Sequence, residues 1–344
     1  MARPLPIEDL RHVLDHTRDC WEELRGCRMF VTGGTGFFGC WLLETFAFAN
    51  DQLALGAKLV ALTRDPGTFR RKASHLAAHP AIGLLQGDVR DFAFPAGEFS
   101  HVIHAGTTSG APVPPGEMLD TITRGACRIL DFTAAAKTEK LLFTSSGAVY
   151  GPQPPDLERV PETYAGVPDA GSPNAVYGNG KRATELLFAT APHAGLESKI
   201  ARCFAFVGPH LPLDAHFAIG NFIRDALAGG PIRVNGDGSP MRSYLYAADL
   251  VIWLWTILFR GAKGRPYNVG SGEAISIADL ALLVADVVRP ATKIEIAEAP
   301  SGASPARYVP DVSRAAIELD LQPLIPLNEA VKRTALWHKS NSPA

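Results

Sequence analysis

A glycine-rich turn between a short apolar run and a helix-forming segment constrains this chain more than any other feature. Met29-Phe30-Val31-Thr32 predicts a buried strand, and the next residues have the spacing G-x-x-G-x-x-G. In such a turn the first glycine allows the tight bend, the second lets a pyrophosphate approach, and the third lets the helix pack on the sheet. The pattern therefore predicts a dinucleotide site. Its predicted residues in the turn are Gly33, Thr35, Gly36, Phe37, Phe38 and Gly39.

After this turn, strand-like and helix-like segments alternate. Strand candidates are residues 58–62, 82–85, 101–104 and 141–145, and the segments between them suit helices. Short apolar runs that alternate with helical patterns are typical of parallel strands joined by crossover helices. We therefore predict an α/β fold with a doubly wound parallel sheet covered on both faces.

The sequence changes character beyond about residue 206, where glycine and proline become frequent. This change predicts a smaller, interleaved α/β lobe. Before the first strand, apolar residues recur at helical spacing, which predicts an amphipathic helix that packs on the body rather than on a partner. The predicted division is a helical extension (1–27), a dinucleotide-binding domain (28–206 with 243–268) and the second lobe (207–242 with 269–338).

Composition and charge exclude several classes of function. The 344 residues carry a net charge of −2 without a basic stripe, so we predict no nucleic-acid partner. Five scattered cysteines without metal-ligand spacing predict reduced thiols and no metal site. Residues 1–27 contain no apolar leader segment, and the apolar stretch 250–259 is too short to cross a bilayer. We therefore expect a cytoplasmic protein without a membrane span.

The end of the second predicted strand bears on the choice of dinucleotide. NAD sites usually place an acid there for the ribose 2′-hydroxyl, whereas an arginine accommodates the 2′-phosphate of NADP. In Thr63-Arg64-Asp65-Pro66, Arg64 lies near this position and Asp65 falls one residue late. The segment favours NADP(H) over NAD(H), with a surface pair of Arg64 and Asp65 as the alternative interpretation.

Two later strand ends extend the predicted cofactor site. Asp88, in Gly87-Asp88-Val89, follows the third strand and could accept a hydrogen bond from the adenine amino group. His104-Ala105-Gly106 ends the fourth strand, where small residues would let the cofactor lie close. Both ends fall at the edge of the sheet where ligands of such folds bind.

A Tyr-x-x-x-Lys pattern supplies the candidate chemistry. Tyr177 and Lys181 lie four residues apart in a helix-forming segment, so their side chains share one helix face. A tyrosine has a pKa near 10, and lowering it to about 7 takes roughly 4 kcal/mol. The Lys181 ammonium and a positive nicotinamide ring could together stabilise the phenolate to that extent. The pattern alone is common, but its place downstream of the glycine turn and of Thr144-Ser145-Ser146-Gly147 makes it specific.

Taken together, these motifs resemble an extended short-chain dehydrogenase/reductase of the NAD-dependent epimerase/dehydratase family, which mostly acts on nucleotide sugars. The resemblance covers residues 28–338 and implies a Rossmann-type domain, a small C-terminal lobe that binds the substrate, a nucleotide-sugar substrate and a homodimer. It implies a catalytic triad in which Ser146 binds the reacting oxygen, Tyr177 moves the proton, and Lys181 tunes Tyr177. The motifs that carry it are GGTGFFG, GDV, HAG, TSSGAVYG, YGNGK, ARCFAFVGP, GDGSPMRSYLYAADL and YNVGSG.

The resemblance also assigns binding residues one by one. Arginines suit a substrate diphosphate because the guanidinium donates two hydrogen bonds in parallel. A surface salt bridge is the alternative interpretation for each arginine. The substrate residues predicted beside Ser146 are Asn221, Phe222, Val234, Arg242 and Arg307. The cofactor residues predicted beyond the turn are Arg64, Asp88, Val89, Ala105, Gly106, Thr144, Tyr177 and Lys181.

Gly147 and Ala148 narrow the predicted reaction. Sugar 4,6-dehydratases of the family place an Asp-Glu pair directly after the triad hydroxyl, and its decarboxylases tend to carry a glutamate there. Gly147 and Ala148 have no titratable group, so both reactions are disfavoured unless an acid arrives from elsewhere.

Two reactions need only the triad: reduction of a 4-ketosugar by NADPH, which we slightly favour, and C4 epimerisation with tightly bound NAD. A reductase for small ketones is a third possibility, because Thr63-Arg64-Asp65-Pro66 resembles the cofactor segment of dihydroflavonol-type reductases. The predicted diphosphate residues count against it. A non-catalytic dinucleotide-binding sensor is the fourth, and the intact Ser-Tyr-Lys set counts against that.

Overall fold

The computed structural model describes residues 3–106, 113–172, 175–191, 195–215, 217–299 and 304–341. In chain order the strands are β1 (Arg28–Thr32), β2 (Lys58–Thr63), β3 (Ile82–Gln86), β4 (His101–His104), β5 (Lys140–Ser146), β6 (Glu197–Cys203), β7 (Phe206–Val207), β8 (Ile232–Val234), β9 (Met241–Arg242), β10 (Leu245–Tyr246), β11 (Pro266–Val269), β12 (Ile275–Ser276), β13 (Ile294–Ile296) and β14 (Arg307–Tyr308).

The helices alternate with these strands through most of the chain. They are α1 (Ile7–Thr17), α2 (Phe37–Gln52), α3 (Pro66–Lys72), α4 (Ser74–Ala77), α5 (Pro115–Ala135), α6 (Val176–Ala189), α7 (Ala218–Ala228), α8 (Ala247–Arg260), α9 (Ile277–Val288), α10 (Ser313–Leu319) and α11 (Leu327–Asn341). Short 3₁₀ helices follow α1 and β5, at Arg18–Leu24 and Gly147–Tyr150.

A seven-stranded sheet in the order β11-β6-β5-β4-β1-β2-β3 forms the centre of the molecule, and every pairing in it is parallel. Its inner strands β1, β4 and β5 are buried on both faces, as a sheet covered by helices requires, whereas the edge strand β3 is partly exposed. All four further strand candidates form. The predicted α/β fold with a doubly wound parallel sheet is confirmed.

The strand order reverses between β1 and β4, because β2 and β3 extend the sheet on one side and β5 and β6 on the other. In open α/β sheets, ligands bind in the crevice beyond the carboxyl ends of the strands at this reversal. The glycine turn follows β1 and Ala105-Gly106 follows β4, so both predicted cofactor segments border the crevice.

Small sheets lie beyond the main one and carry most of the predicted substrate residues. In a three-stranded sheet β9 pairs with β12 and β14, and Arg242 lies opposite Tyr308. In another, β8 pairs with β13, while β7 pairs with β10. The division into two lobes stays a prediction.

The predicted N-terminal helix forms as α1 and packs against α8 and α2. Its buried Asp9 accepts hydrogen bonds from the hydroxyl of Tyr246 at 2.6 Å and from Arg333 at 2.7 Å. Helix α8 is almost wholly buried in the core beneath α1. Among the helices in the described ranges, none combines the length and the apolarity needed to cross a bilayer.

Candidate active site

The three glycines of the G-x-x-G-x-x-G pattern have different roles in the structure. Gly33 has a φ of +71°, and a Cβ on it would lie 2.7 Å from the backbone of Ala105 and Gly106. A Cβ on Gly39 would lie 2.3 Å from the carbonyl oxygen of Gly33. Gly36 is exposed at the N-terminus of α2, and the nearest atom to a Cβ there is 3.5 Å away. The protein's own packing therefore requires Gly33 and Gly39, whereas Gly36 leaves room beside helix amides that suit a phosphate.

The remaining residues of the turn surround this open position. Thr35, Phe37 and Phe38 are half-buried, and the Phe38 ring lies edge-on to Phe206. Lys72 at the end of α3 donates a hydrogen bond to the carbonyl oxygen of Thr35 at 3.2 Å. Sequence reasoning missed this lysine, because its only signal is a basic run in a neighbouring helix. It adds a cation beside a turn whose geometry fits a dinucleotide pyrophosphate.

Buried hydrogen bonds hold the end of β4 against the turn. The Thr32 hydroxyl lies 2.8 Å from Nδ1 of His104 and accepts a bond from the Gly106 amide at 3.0 Å. Burial, with a smaller contribution from the charge of Lys181, lowers the pKa of His104 to about 3. His104 is therefore neutral and serves the structure, while Ala105 and Gly106 lie beside Gly33.

The part of the predicted cofactor site that would hold the adenosine contains an exposed arginine, Arg64. Arg64 is exposed, and within the described residues its side chain makes no hydrogen bond or ion pair. Asp65 caps α3 instead of pairing with Arg64, because it accepts bonds from the amide of Thr68 at 2.9 Å and from its hydroxyl at 2.6 Å. The alternative of a surface pair between Arg64 and Asp65 is therefore wrong in this structure.

Asp88 is already engaged by an arginine. Arg90 donates to its two oxygens at 2.8 Å and 3.1 Å. These bonds lower the pKa of Asp88, and the charge of Arg64 lowers it further. The neighbouring Val89 packs where Gly125 has no side chain. Asp88 is an ionised acceptor close to Arg64, and its predicted bond to adenine stays a prediction.

Lys181 lies beneath Tyr177 in the interior. Its ammonium donates to the Thr144 carbonyl oxygen at 2.8 Å and lies 4.7 Å from the ring centre of Phe143 and 5.7 Å from that of Tyr177. Burial lowers the pKa of Lys181 to about 7, against the opposing effect of nearby Cys203 and Glu185. The bond to Thr144 ties α6 to the end of β5.

Ser146 ends β5 and is 7% exposed. Its hydroxyl oxygen accepts a hydrogen bond from the Ala148 amide at 3.1 Å, which starts the 3₁₀ helix Gly147–Tyr150. Lys181, 5.7 Å from the Tyr177 ring centre, donates to the carbonyl oxygen of Thr144, two residues before Ser146, and both Ser146 and Tyr177 lie near Tyr308. The structure therefore brings Ser146, Tyr177 and Lys181 to one place, as the sequence predicts. Their catalytic roles stay predictions.

Tyr308 is the residue of this site that sequence reasoning missed. It is half-buried on β14, and its ring lies 4.7 Å from that of Phe204, close to Ser146. Burial raises the pKa of Tyr308, and Tyr177 and Arg242 also act on it electrostatically. A Cβ on Gly147 would lie 2.7 Å from this hydroxyl. Nothing in the local sequence indicates the contact, which depends on the pairing of β14 with β9.

The predicted substrate residues divide into two groups. Arg242 donates to the carbonyl oxygens of Met241 at 2.9 Å and Ala306 at 3.3 Å, and it lies near Tyr308. Arg307 is half-buried on β14, and Asn221 is half-buried on α7, where it accepts a bond from Arg224. These three polar side chains are partly accessible, so their predicted role is compatible with the structure.

Phe222 and Val234 are placed differently. Their side chains are 3% and 1% exposed and pack in the main hydrophobic core. Any contact with a substrate would therefore use the backbone of these residues rather than the side chain. Their assignment to the substrate site stays a prediction, limited to contacts made by their backbone atoms.

This fold, with its glycine turn at the strand reversal and its Ser-Tyr-Lys group, defines a dinucleotide-binding enzyme of the extended short-chain dehydrogenase/reductase type. Residues 29–270 match the family model of the NAD dependent epimerase/dehydratase family. The chain belongs to that family, which confirms the resemblance seen in the motifs. The prediction of NADP(H) or NAD(H) as cofactor is confirmed for the nicotinamide dinucleotide, and the family is NAD-dependent.

Known proteins similar to this chain include several decarboxylases. UDP-glucuronic acid decarboxylase 1 of Xenopus tropicalis is 29% identical over 92% of this chain and 74% of that protein. UDP-glucuronic acid decarboxylase 6 of Arabidopsis thaliana is 28% identical over 88% of this chain and 86% of that protein.

Solved structures of similar fold include a UDP-glucose 4-epimerase from Thermotoga maritima with UDP-glucose. It has a TM-score of 0.75 and 19% identity, over 91% of this chain and 99% of that one. A dTDP-glucose 4,6-dehydratase from Streptomyces venezuelae with NAD bound has a TM-score of 0.74 and 21% identity, over 91% of this chain and 97% of that one. At these identities the likeness shows the fold alone.

Proposed function

We propose that this protein transfers a hydride at C4 of a nucleotide-activated sugar, acting as an NADPH-dependent 4-ketosugar reductase. The observation that carries the proposal is the make-up of the group around Ser146. Lys181 lies 5.7 Å from the Tyr177 ring centre and is tied to Thr144 beside Ser146, and the place next to Gly147 is taken by the Tyr308 hydroxyl and the Phe204 ring. Such a set can donate hydrogen bonds to a sugar oxygen and move one proton, which is what hydride transfer at a carbonyl requires.

Each residue of the Ser-Tyr-Lys group would have one role in the hydride transfer. The bound cofactor supplies the hydride. Tyr177 gives its proton to the C4 carbonyl oxygen, so that the ketone becomes an alcohol and the phenol a phenolate. Ser146 donates a hydrogen bond to the same oxygen, where negative charge develops. The Lys181 ammonium, 5.7 Å from the Tyr177 ring centre, stabilises the phenolate that remains.

Two observations support NADPH and a nucleotide sugar. Arg64 is exposed and without a side-chain partner among the described residues, whereas Asp65 is committed to the cap of α3. An arginine that is free to bind suits a 2′-phosphate. The curated relatives are named for a UDP-activated sugar, and Arg242 lies beside the proposed reacting group with its partners limited, in the described part of the chain, to backbone carbonyls.

Decarboxylation of a nucleotide-activated uronic acid is a second candidate, because the curated relatives are UDP-glucuronic acid decarboxylases. Oxidation of C4 in such a sugar gives a β-keto acid, which loses CO₂ without a further catalytic acid. The sequence argument from Gly147 and Ala148 is therefore weaker against decarboxylation than against 4,6-dehydration. For dehydration, we infer that the Tyr308 hydroxyl and the Phe204 ring leave no room for an acidic side chain at position 147.

A substrate panel separates these candidates. Purified protein is incubated with NADPH and dTDP-4-keto-6-deoxyglucose, with NAD and UDP-glucuronic acid, and with NAD and UDP-glucose, while absorbance at about 340 nm and product masses are followed. Oxidation of NADPH by the ketosugar supports the proposal. Loss of CO₂ from UDP-glucuronic acid supports the second candidate, and conversion of UDP-glucose to its 4-epimer supports the epimerase. Each activity must disappear in Tyr177→Phe.

The nucleotide released from denatured protein gives an independent test of the reductase. Empty protein that then takes up NADPH agrees with the proposal, whereas tightly held NAD that does not exchange favours the epimerase. If no substrate in the panel reacts, the proposed function is refuted and the non-catalytic sensor becomes the favoured alternative. If Tyr177→Phe is as active as the wild type, the proposed proton transfer by Tyr177 is refuted.

A further inference from the structure

Two successive turns of α6 bind two successive residues of β5. In the first turn, the Lys181 ammonium donates a hydrogen bond to the carbonyl oxygen of Thr144 at 2.8 Å. In the next turn, the carboxylate of Glu185 accepts one from the Ser145 hydroxyl at 2.5 Å. Tyr177 lies one turn before Lys181 on the same helix face. These contacts therefore fix where α6, and with it Tyr177, lies relative to the end of β5.

An arginine on the neighbouring strand completes this cluster. Arg202 lies opposite Ser145 in the pairing of β6 with β5, and it donates to the two carboxylate oxygens of Glu185 at 3.0 Å and 2.6 Å. Its remaining terminal nitrogen donates to the Tyr150 hydroxyl at 2.9 Å. Ser145 directly precedes Ser146, and Tyr150 ends the 3₁₀ helix that follows it. The ion pair therefore holds the chain on both sides of Ser146.

The ion pair of Glu185 and Arg202 is almost wholly buried, with side chains that are 9% and 13% exposed. A buried ion pair adds little net stability compared with apolar residues of similar size, because both charges lose their hydration. Its hydrogen bonds, however, have fixed directions, so it holds neighbouring elements in one relative position. We propose that Glu185 is a positioning residue that fixes the Lys181 ammonium and the Ser146 hydroxyl relative to Tyr177. The inference rests on the proposed function, since these groups would act in the proton transfer.

The charge of Glu185 also acts on Lys181. Burial lowers the pKa of Lys181 to about 7, and Cys203 and Glu185 oppose this shift. Burial raises the pKa of Cys203 to about 12 and lowers that of His104 on β4 to about 3, so both of these neighbours are neutral at neutral pH. Tyr177 is a neutral phenol until it gives up its proton. Glu185 therefore supplies the negative charge that favours the ammonium form of Lys181 at neutral pH.

A titration of Lys181 tests the effect of Glu185 without a substrate. The full-length protein is labelled at Cε of lysine for NMR, and the signal of Lys181 is identified by its absence from Lys181→Met. Glu185→Gln keeps the size of the side chain and removes its charge, so the pKa of Lys181 should fall by about one unit. Because Glu185→Gln leaves Arg202 as an unpaired buried cation, the double variant with Glu185→Gln and Arg202→Met is titrated as well. The pKa of Lys181 should fall in both.

The activity of these variants tests the positioning. They are assayed with NADPH and dTDP-4-keto-6-deoxyglucose, or with whichever substrate of the panel reacts. Glu185→Gln should lower kcat about tenfold and leave KM and NADPH binding nearly unchanged, because Glu185 acts through Lys181 and Ser145. Ser145→Ala keeps the ion pair and removes only its bond to β5. It should lower kcat about threefold while the pKa of Lys181 stays that of the wild type.

Asp9→Asn is the matched control. Asp9 is also a buried carboxylate that accepts hydrogen bonds from an arginine, Arg333 at 2.7 Å, and from a hydroxyl, that of Tyr246 at 2.6 Å. It lies on α1 and not on the helix that carries Tyr177. Asp9→Asn should therefore lower the midpoint of urea unfolding, as Glu185→Gln does, but leave kcat and the pKa of Lys181 unchanged.

The outcomes separate the two proposals. If the wild type reacts with no substrate, the proposed function fails, and the titration of Lys181 still tests the inference. The inference is overturned if the pKa of Lys181 is the same in the wild type and in both variants with Glu185→Gln, or if these variants keep the kcat of an active wild type. It is also overturned if Asp9→Asn lowers kcat as much as Glu185→Gln, because the loss would then follow stability alone.

Discussion

Replacing Lys181 by methionine tests the burial of the ammonium on which the proposed mechanism depends. Lys181 is 1% exposed, and its side chain lies between the Thr144 carbonyl, the Phe143 ring and Tyr177. Burial lowers its pKa from 10.5 to about 7. Methionine has a similar length and no charge, so the variant removes the charge with little change of packing.

The size of the expected stability change follows from the pKa values of Lys181 in the unfolded and the folded chain. Between them, the unfolded chain holds a proton on Lys181 that the folded chain has lost, so the free energy of unfolding rises with pH. At about 1.4 kcal/mol per unit, the contribution of Lys181 between pH 7 and pH 9 is about 2 kcal/mol. Lys181 is a base whose pKa is lower in the folded state than in the unfolded state. Its burial therefore lowers the free energy of unfolding of the wild type at pH 7, and this loss shrinks as the pH approaches 10.5.

Urea-induced unfolding, followed by tryptophan fluorescence at pH 7, 8 and 9, measures this contribution. The wild type should gain about 2 kcal/mol relative to Lys181→Met over that range. Lys137→Met is the control, because Lys137 is exposed and pairs with Glu98, and its curve should run parallel to that of the wild type. If the curves of Lys181→Met and the wild type are also parallel, the ammonium is solvated in the folded protein and the described site is wrong.

Three further predictions concern the cofactor site and the N-terminal helix. Arg64→Ala should weaken NADPH binding about tenfold in a fluorescence titration and leave NADH binding unchanged; equal losses would contradict the 2′-phosphate role. Gly36→Ala should melt like the wild type but lose NADPH binding, whereas Gly39→Ala should fold poorly, because only Gly39 is closely packed. Asp9→Ala should lower the free energy of unfolding by about 2 kcal/mol in urea titrations, since the bonds to Tyr246 and Arg333 are lost; an unchanged midpoint would show that α1 contributes little.

The main sheet and the cofactor turn could be predicted because their signals are local. A buried parallel strand needs a short apolar run, and a turn at a helix N-terminus needs glycine at fixed spacing. Tyr177 and Lys181 share a helix face, so their spacing also predicts their proximity. In these features, residues that lie close together in the structure are also close in the sequence, or they follow consecutive parallel strands.

Tyr308 could not be predicted in the same way. Strands β9 and β14 have two residues each, too few to show a strand period, and their pairing joins distant parts of the chain. The family resemblance that suggests Phe222 and Val234 as substrate residues likewise gives a position without a side-chain direction. Their side chains pack in the core, which only the fold reveals.

The proximity of Tyr308 to Gly147 changes how the absence of an acidic residue at position 147 is interpreted. The sequence presents Gly147 as the loss of a titratable group, and that loss alone would leave a gap beside Ser146. The structure fills this place with the Tyr308 hydroxyl and the Phe204 ring, so an acidic side chain could return to position 147 only if both rings moved. A neutral phenol can donate a hydrogen bond but does not remove a proton from carbon at neutral pH. The replacement is therefore compatible with the proposed hydride transfer, in which the sugar oxygen is hydrogen-bonded while the hydride moves and the group beside Ser146 supplies no additional base.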